Sequence, residues 1–391
     1  MPNATATDHT ISLAINGGSP VSATPVPFMS LGLTQQDIDA ANEVLKSGML
    51  RQAKKCAEFE ERFGSMSDAK HALTCANGTC ALQLAYGAML EPGDEVIVPA
   101  WTYIATASML AAAGCKLVFC DVREDTFQID VDDVAKRITP NTKAIACTHL
   151  YGMPVDIDGV LTLAKKHNLH VIFDAAQAHL ARYNGKGLGA YGDATTFSFY
   201  ATKNLGTGEG GMVMTNDDGI ARKMGMLRSH GETDKYLHES IGFNYRMNDI
   251  TAAIGCSKLD TLQDQTHDRQ KAAKRYDEII AEIDGLEAPT HTPNAEPSWH
   301  LYTVKFDPAK FTCTRDEFIK ALAAEGVPNA VHYPKPLTRQ PAFAKFVTEH
   351  PPVSAKLSER VFCIPMHHAL TEDHFRIVRE ALTKVADAYR A

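Results

Sequence analysis

Two neighbouring stretches decide how this chain folds: VIFDAAQAHL, residues 171–180, and GDATTFSFYATKNLGTGEGGMVM, residues 192–214. Residues 171–173 read as a short apolar strand with Asp174 at its carboxyl end, the edge where open α/β sheets present ligand-binding groups. Residues 194–199 form a second apolar run that ends just before Lys203. The glycine-rich residues 204–211 lead into a third run at 212–215, which places Lys203 on a loop held between two strands. A lysine there can be both positioned and desolvated. Those conditions lower an ammonium pKa and free the amine to attack a carbonyl.

Working outward, the strand candidates are residues 96–100, 116–122, 143–149, 169–173, 194–199 and 211–215, separated by helical patterns. Such alternation predicts an α/β fold, a mainly parallel sheet sandwiched by helices. Leu33-Thr34-Gln35-Gln36-Asp37 reads as the capped start of a helix running to Lys46. From Asp249 a charged amphipathic pattern predicts one long helix, or two joined, with Asn248 or Asp249 as its cap. Residues 288–297 read as a proline-rich loop, and HLYTVKF as a strand of a smaller α+β domain. The division expected is residues 1–30 extended on the surface, 31–250 a large domain, and 251–391 a linking helix with a small C-terminal domain.

An aldehyde cofactor, pyridoxal 5'-phosphate (PLP), makes four demands that the chain meets in order. Its ring nitrogen must stay protonated beside a carboxylate, for which Asp174 is placed. Gln177, three residues on, reaches toward the ring hydroxyl. The phosphate wants backbone N–H groups at a helix start plus hydroxyls; Asn77-Gly78-Thr79 before the helical run 80–89 supplies both, and Ser198 adds a second hydroxyl. The ring face needs an aromatic cover, with Tyr103 the first choice and Trp101 the second. Singly, each has a plainer reading: Asp174 as a loop anchor, GTGEGG as a turn, NGT as a helix start, Lys203 as a surface charge. Their joint order along the chain points to the cofactor.

The segments NGTCALQLA, GDEVIVPAWTYIATA, HLYGMPVDID, DAAQAH, GDATTFSFYATKNLGTGEGG and GFNYRMNDITAAIG resemble the DegT and StrS group of PLP-dependent sugar aminotransferases, from about Leu31 to the C-terminus. The resemblance implies fold type I: a seven-stranded type of sheet between helices, with a smaller α+β domain. It also implies Lys203 as the Schiff-base lysine, Asp174 on the pyridine nitrogen, Gln177 on the ring hydroxyl and Tyr103 in the stacking position. Gly78, Thr79 and Ser198 match phosphate contacts. Asn244, in GFNYRMND, matches a residue that reaches the phosphate of the neighbouring subunit, so a homodimer with shared sites is implied. One branch of that group carries histidine for the lysine and removes a hydroxyl from sugars; Lys203 favours transamination.

Composition agrees with a sizeable enzyme. The 391 residues are 45% hydrophobic, with no run of about 18 apolar residues that could span a membrane. The net charge of -8 and the lack of a basic cluster argue against a nucleic-acid partner. Nine cysteines, with no C-x-x-C pair and no matching histidine spacing, read as reduced core thiols, so no metal site is expected. The N-terminus lacks a basic start followed by an apolar core, and a cytoplasmic location is expected.

The resemblance implies glutamate or glutamine as donor and a keto-sugar, usually nucleotide-linked, as acceptor. Lys335 and Arg339 could form a local patch for an anionic carrier. His368, doubling the histidine of IPMHHALTEDHF, points weakly to a keto-cyclitol ring instead, though such a pair more often serves structure. A dehydratase and a PLP-binding regulatory protein without turnover are the remaining readings. His149 could orient substrate, but a packed histidine at a strand end is the plainer expectation.

Overall fold

The computed structural model describes residues 12–30 and 32–391. Seven strands form the central sheet: β1 His71–Cys75, β2 Glu95–Pro99, β3 Lys116–Cys120, β4 Thr142–Thr148, β5 His170–Asp174, β6 Ala194–Ser198 and β7 Gly211–Thr215. Their spatial order is β1-β7-β6-β5-β4-β2-β3. From β6 to β3 every pairing is parallel, while β7 runs antiparallel to both β6 and β1. Helices cover both faces, which is why the inner strands read as unbroken apolar runs. Six of the seven match the expected positions to within two residues. The seventh, β1, lies at the sheet edge with His71, Ala72 and Leu73 only half-buried, and so leaves no apolar run to read.

Helix ends are fixed by side chains. Thr34 and Asp37 form a reciprocal capping box on Gln35–Ser47, an arrangement worth about 1 kcal/mol. Asn248 caps the 33-residue helix Asp249–Ala281, accepting from the Thr251 N–H at 2.9 Å. Asp249 has another task. Its carboxylate accepts from the N–H groups of Ala53, Lys55 and Cys56, so it caps the helix Lys54–Met66 instead of its own.

The long helix joins two cores. Ala252, Cys256, Leu259 and Leu262 pack beneath the seven-stranded sheet. Ala272, Ala273, Tyr276, Ile279 and Ile280 pack in a second core with Tyr302, Phe318 and Phe362. That second unit holds an antiparallel sheet of Leu286–Glu287, Tyr302–Phe306 and Val361–Ile364, flanked by helices Arg315–Ala324 and Glu372–Ala388.

Of the segment 1–30 expected to lie extended on the surface, residues 1–11 lie outside the described residues; residues 12–30 are mostly exposed, but the segment is anchored at two buried points. Leu13 and Val26 are buried in the second core. The Ala14 and Val21 N–H groups donate to the Glu325 carboxylate at 2.8 and 3.0 Å, and Lys384 closes on the same carboxylate at 2.8 Å. Buried backbone donors need acceptors, and one buried glutamate supplies them across some three hundred residues of sequence. Among the described residues no helix is long and apolar enough to cross a membrane. All nine cysteines are free, seven of them buried.

Candidate active site

The carboxyl end of β5 puts Asp174 in the interior, 4% exposed. Its Oδ2 accepts from the Thr106 hydroxyl at 2.7 Å and its Oδ1 from the Ala176 N–H at 3.0 Å. Burial pushes the carboxyl up from its usual range, while these two donors and the nearby Lys203 pull it down. Thr106 belongs to a hydroxyl cluster with Thr102 and Thr148, linked at 2.8 to 3.3 Å. Sequence reading missed this cluster, which joins Thr102 before the helix Ile104–Ala112, Thr106 within it and Thr148 at the end of β4.

Lys203 follows β6 in the turn before β7, its N–H donating to the Tyr200 carbonyl at 2.8 Å. Burial holds the ammonium down to about 8, and the facing Asp174 carboxylate opposes the shift. At pH 7 roughly a tenth of such a lysine is free amine, against about one part in three thousand at its ordinary value. Capture of PLP by the cofactor-free protein is therefore expected to accelerate about tenfold per pH unit below pH 8 and to level off above it. Absorbance-monitored capture between pH 6 and 10 checks this; a midpoint near 10.5 would place the amine in bulk water.

Gln177 is 4% exposed and its amide is oriented without ambiguity. Its Oε1 accepts from the Tyr151 N–H at 2.7 Å, which leaves Nε2 to donate to the Tyr333 hydroxyl at 3.1 Å. Tyr333 comes from the C-terminal part, and its ring lies 6.0 Å from that of Tyr103 and 6.4 Å from that of Trp101. Of those two, Trp101 is 1% exposed with its indole N–H on the Tyr151 hydroxyl, whereas Tyr103 is 55% exposed. Only Tyr103 has a face free to cover a ring.

The phosphate candidates converge from separate elements. Asn77 caps the helix Gly78–Met89 by accepting from the Cys80 N–H at 2.9 Å. Among the described residues the Gly78 and Thr79 N–H groups have no protein acceptor. A Cβ on Gly78 would stand 2.7 Å from the Ser198 Cβ, and one on Gly211 would stand 2.3 Å from the Asn77 carbonyl oxygen. The two glycines let the helix start press against the ends of β6 and β7, where Ser198 sits. Gly78→Ala is expected to cost about 1–3 kcal/mol of stability by overpacking and to weaken PLP retention. Thermal melting and cofactor titration check both effects.

Asn244 is exposed and forms an isolated bridge with Ser229, beside the contact of the Tyr245 carbonyl with the Ala76 N–H. His149 is fully buried, stacked 4.9 Å from Phe173, with Nδ1 accepting from the Val155 N–H at 3.0 Å. Burial drives its pKa down to about 3, which fits the packed strand-end reading. Arg339 pairs with Glu359 at 3.5 Å, and Lys335 is exposed.

The donors and charges suit PLP: a buried carboxylate, an oriented amide N–H, an exposed aromatic face, a depressed lysine, and unsatisfied N–H groups beside a serine. Fold and site together define a PLP-dependent enzyme of fold type I. The chain belongs to the DegT/DnrJ/EryC1/StrS aminotransferase family, matched over residues 32–383, and is an aminotransferase. It is 40% identical over 317 residues to the UDP-N-acetyl-3-dehydro-alpha-D-glucosamine 3-aminotransferase of Acidithiobacillus ferrooxidans, covering 81% of this chain and 84% of the relative. It is 38% identical over 376 residues to a protein of Geobacillus stearothermophilus named pleiotropic regulatory protein, covering 93% of this chain and 99% of that one. The solved structure of the Streptomyces venezuelae protein DesV superposes with a TM-score of 0.89 at 36% identity, covering 93% of this chain and 99% of DesV.

Proposed function

We propose that this aminotransferase moves an amino group from glutamate or glutamine to the keto group of a nucleotide-linked sugar. The observation that carries the reading is the coupling of a depressed lysine, Lys203, to the buried carboxylate Asp174 at the ends of neighbouring strands. The sugar acceptor is supported by the 40% identity to an aminotransferase named for a UDP-linked keto-sugar.

When bound, PLP supplies the aldehyde that receives the amino group and the electron sink for the charge left by proton removal. Asp174, anchored by Thr106 and Ala176, would keep the ring-nitrogen proton in place, and Gln177, its Oε1 held by the Tyr151 N–H and one amide N–H on the Tyr333 hydroxyl, would offer its other amide N–H to the ring hydroxyl. Tyr103 would cover the ring. The N–H groups of Gly78 and Thr79 and the Ser198 hydroxyl would hold the phosphate. With the cofactor bound, the free amine of Lys203 would serve as the base that takes the α proton of the donor and as the acid that returns a proton. The reading extends to a cytoplasmic location, supported by nine free thiols.

The test is a panel of keto nucleotide-sugars and keto-cyclitols offered with glutamate or glutamine, with products identified by mass spectrometry. An aminated nucleotide-sugar is expected; amination of the free rings alone would transfer the proposal to cyclitols. The 38% identity to a protein named as a regulator gives the rival reading. Added glutamate separates the two, because only a transaminase converts the bound cofactor's absorbance to the amine form.

The same reading makes the active unit a homodimer in which Asn244 of the partner subunit completes each phosphate site. Its support is the exposed placement of Asn244 and the thin protein donor set for a dianion: Gly78, Thr79 and Ser198. Asn244→Ala is expected to weaken PLP binding. Mixed with Lys203→Ala, it is expected to recover activity, because one site of each hybrid carries neither defect. Proven hybrids without recovery would assign Asn244 to its own subunit's site or to none.

A further inference from the structure

Between the loop that carries Lys203 and the long helix Asp249–Ala281 lies a cavity of about 270 Å³. Lys203, Lys258, Gln265, Arg269, His300 and His368 supply most of its polar lining, and among the described residues no aspartate or glutamate lines it. Arg269 is the unusual member. It is 7% exposed, and its Nη1 donates to the carbonyls of Trp299 at 3.2 Å and Met366 at 3.0 Å. Its remaining N–H groups have no acceptor among the described residues, and burial alone, with no acidic neighbour opposing it, holds the guanidinium down to about 10. Lys258 differs, since its amine meets the Asp37 carboxylate at 3.6 Å and the Gly32 carbonyl at 3.1 Å. His300 turns its Nδ1 to the Asn204 amide at 3.2 Å, and burial keeps it neutral.

A buried guanidinium without a counter-ion is costly unless an anion joins it, and its planar fork matches a carboxylate with two parallel hydrogen bonds. The cavity also holds Lys203, the residue at which the amino group is handled, and its volume admits an amino acid. We propose that this cavity is the amino-donor subsite, with Arg269 as the specificity residue that binds the donor's α-carboxylate. The inference rests on the transaminase reading above.

Arg269→Gln is the direct test, expected to raise the KM for glutamate at least tenfold while the acceptor KM stays within twofold. That substitution also removes two backbone contacts, so a second variant leaves Arg269 in place. Gln265 stands one helical turn before it, and Gln265→Glu sets an internal carboxylate against the guanidinium. In Gln265→Glu the donor KM is expected to rise at least tenfold, with cofactor content unchanged and the melting temperature unchanged or raised, since the new carboxylate pairs the buried guanidinium. Calorimetry with glutarate, a dicarboxylate without an amine, reads the same subsite without turnover: the native holoenzyme binds it and Gln265→Glu binds it at least tenfold more weakly. Unchanged donor KM and unchanged glutarate binding in Gln265→Glu would overturn the proposal, as would a rise confined to the acceptor. The arms fail separately. If no sugar is aminated, the sugar-acceptor reading falls, while the glutarate arm still decides whether this cavity takes a carboxylate.

Discussion

Lys203→Ala is expected to lose transamination by roughly 10³-fold or more, because the residue serves both as the amine that holds the cofactor and as the base that moves the proton. No other lysine lies between β6 and β7. Lys258 lines the same cavity, but its amine is engaged by Asp37 and Gly32, so it is not a replacement nucleophile. The resting absorbance of the bound imine is expected to vanish in the variant. In the native protein borohydride is expected to fix the cofactor to the peptide containing Lys203 and to leave the Lys258 peptide unlabelled. Full activity in Lys203→Ala, or label on Lys258, would end the assignment. The melting temperature provides the control for folding, since removing a largely buried amine relieves a desolvation cost.

Asp174→Asn is expected to keep the fold and the cofactor while losing at least tenfold in turnover. The amide can retain the contacts to Thr106 and Ala176, whose geometry fits a planar group of the same size. What disappears is the negative charge that holds a proton on the ring nitrogen. Each pKa unit of lost stabilisation is worth about 1.4 kcal/mol, or one decade in rate. Burial magnifies the charge's influence, since water does not screen it there. Unchanged turnover with glutamate or glutamine would show Asp174 to be a structural anchor of β5.

Most strands were legible because a doubly covered parallel sheet leaves apolar runs punctuated by glycine and polar turns, and β2 to β7 each left one. β1 did not, since an edge strand needs burial on little of its surface. Likewise the capping box at Thr34 and Asp37 is local chemistry and reads directly from four residues. Asp249 reads the same way but acts elsewhere: only the packing of two helices reveals that it caps Lys54–Met66. The anchors of the N-terminal segment were missed for the same reason, its composition suiting a surface while Glu325 and the second core draw it inward at those points.

By itself the sequence determined the α/β class, the placement of Asp174, Gln177, Ser198 and Lys203 at strand ends, and the helix start at Asn77-Gly78-Thr79, because strand periodicity and capping are short-range properties of the chain. Only the tertiary structure decided that Trp101 is buried and Tyr103 open, that Thr106 supports the carboxylate, and that Tyr333 approaches Gln177 from the far end of the chain. It alone decided that Arg269 lines the same cavity as Lys203 with no counter-ion among the described residues. Burial and electrostatic partnership depend on which distant segments meet, and no window of local sequence contains that meeting.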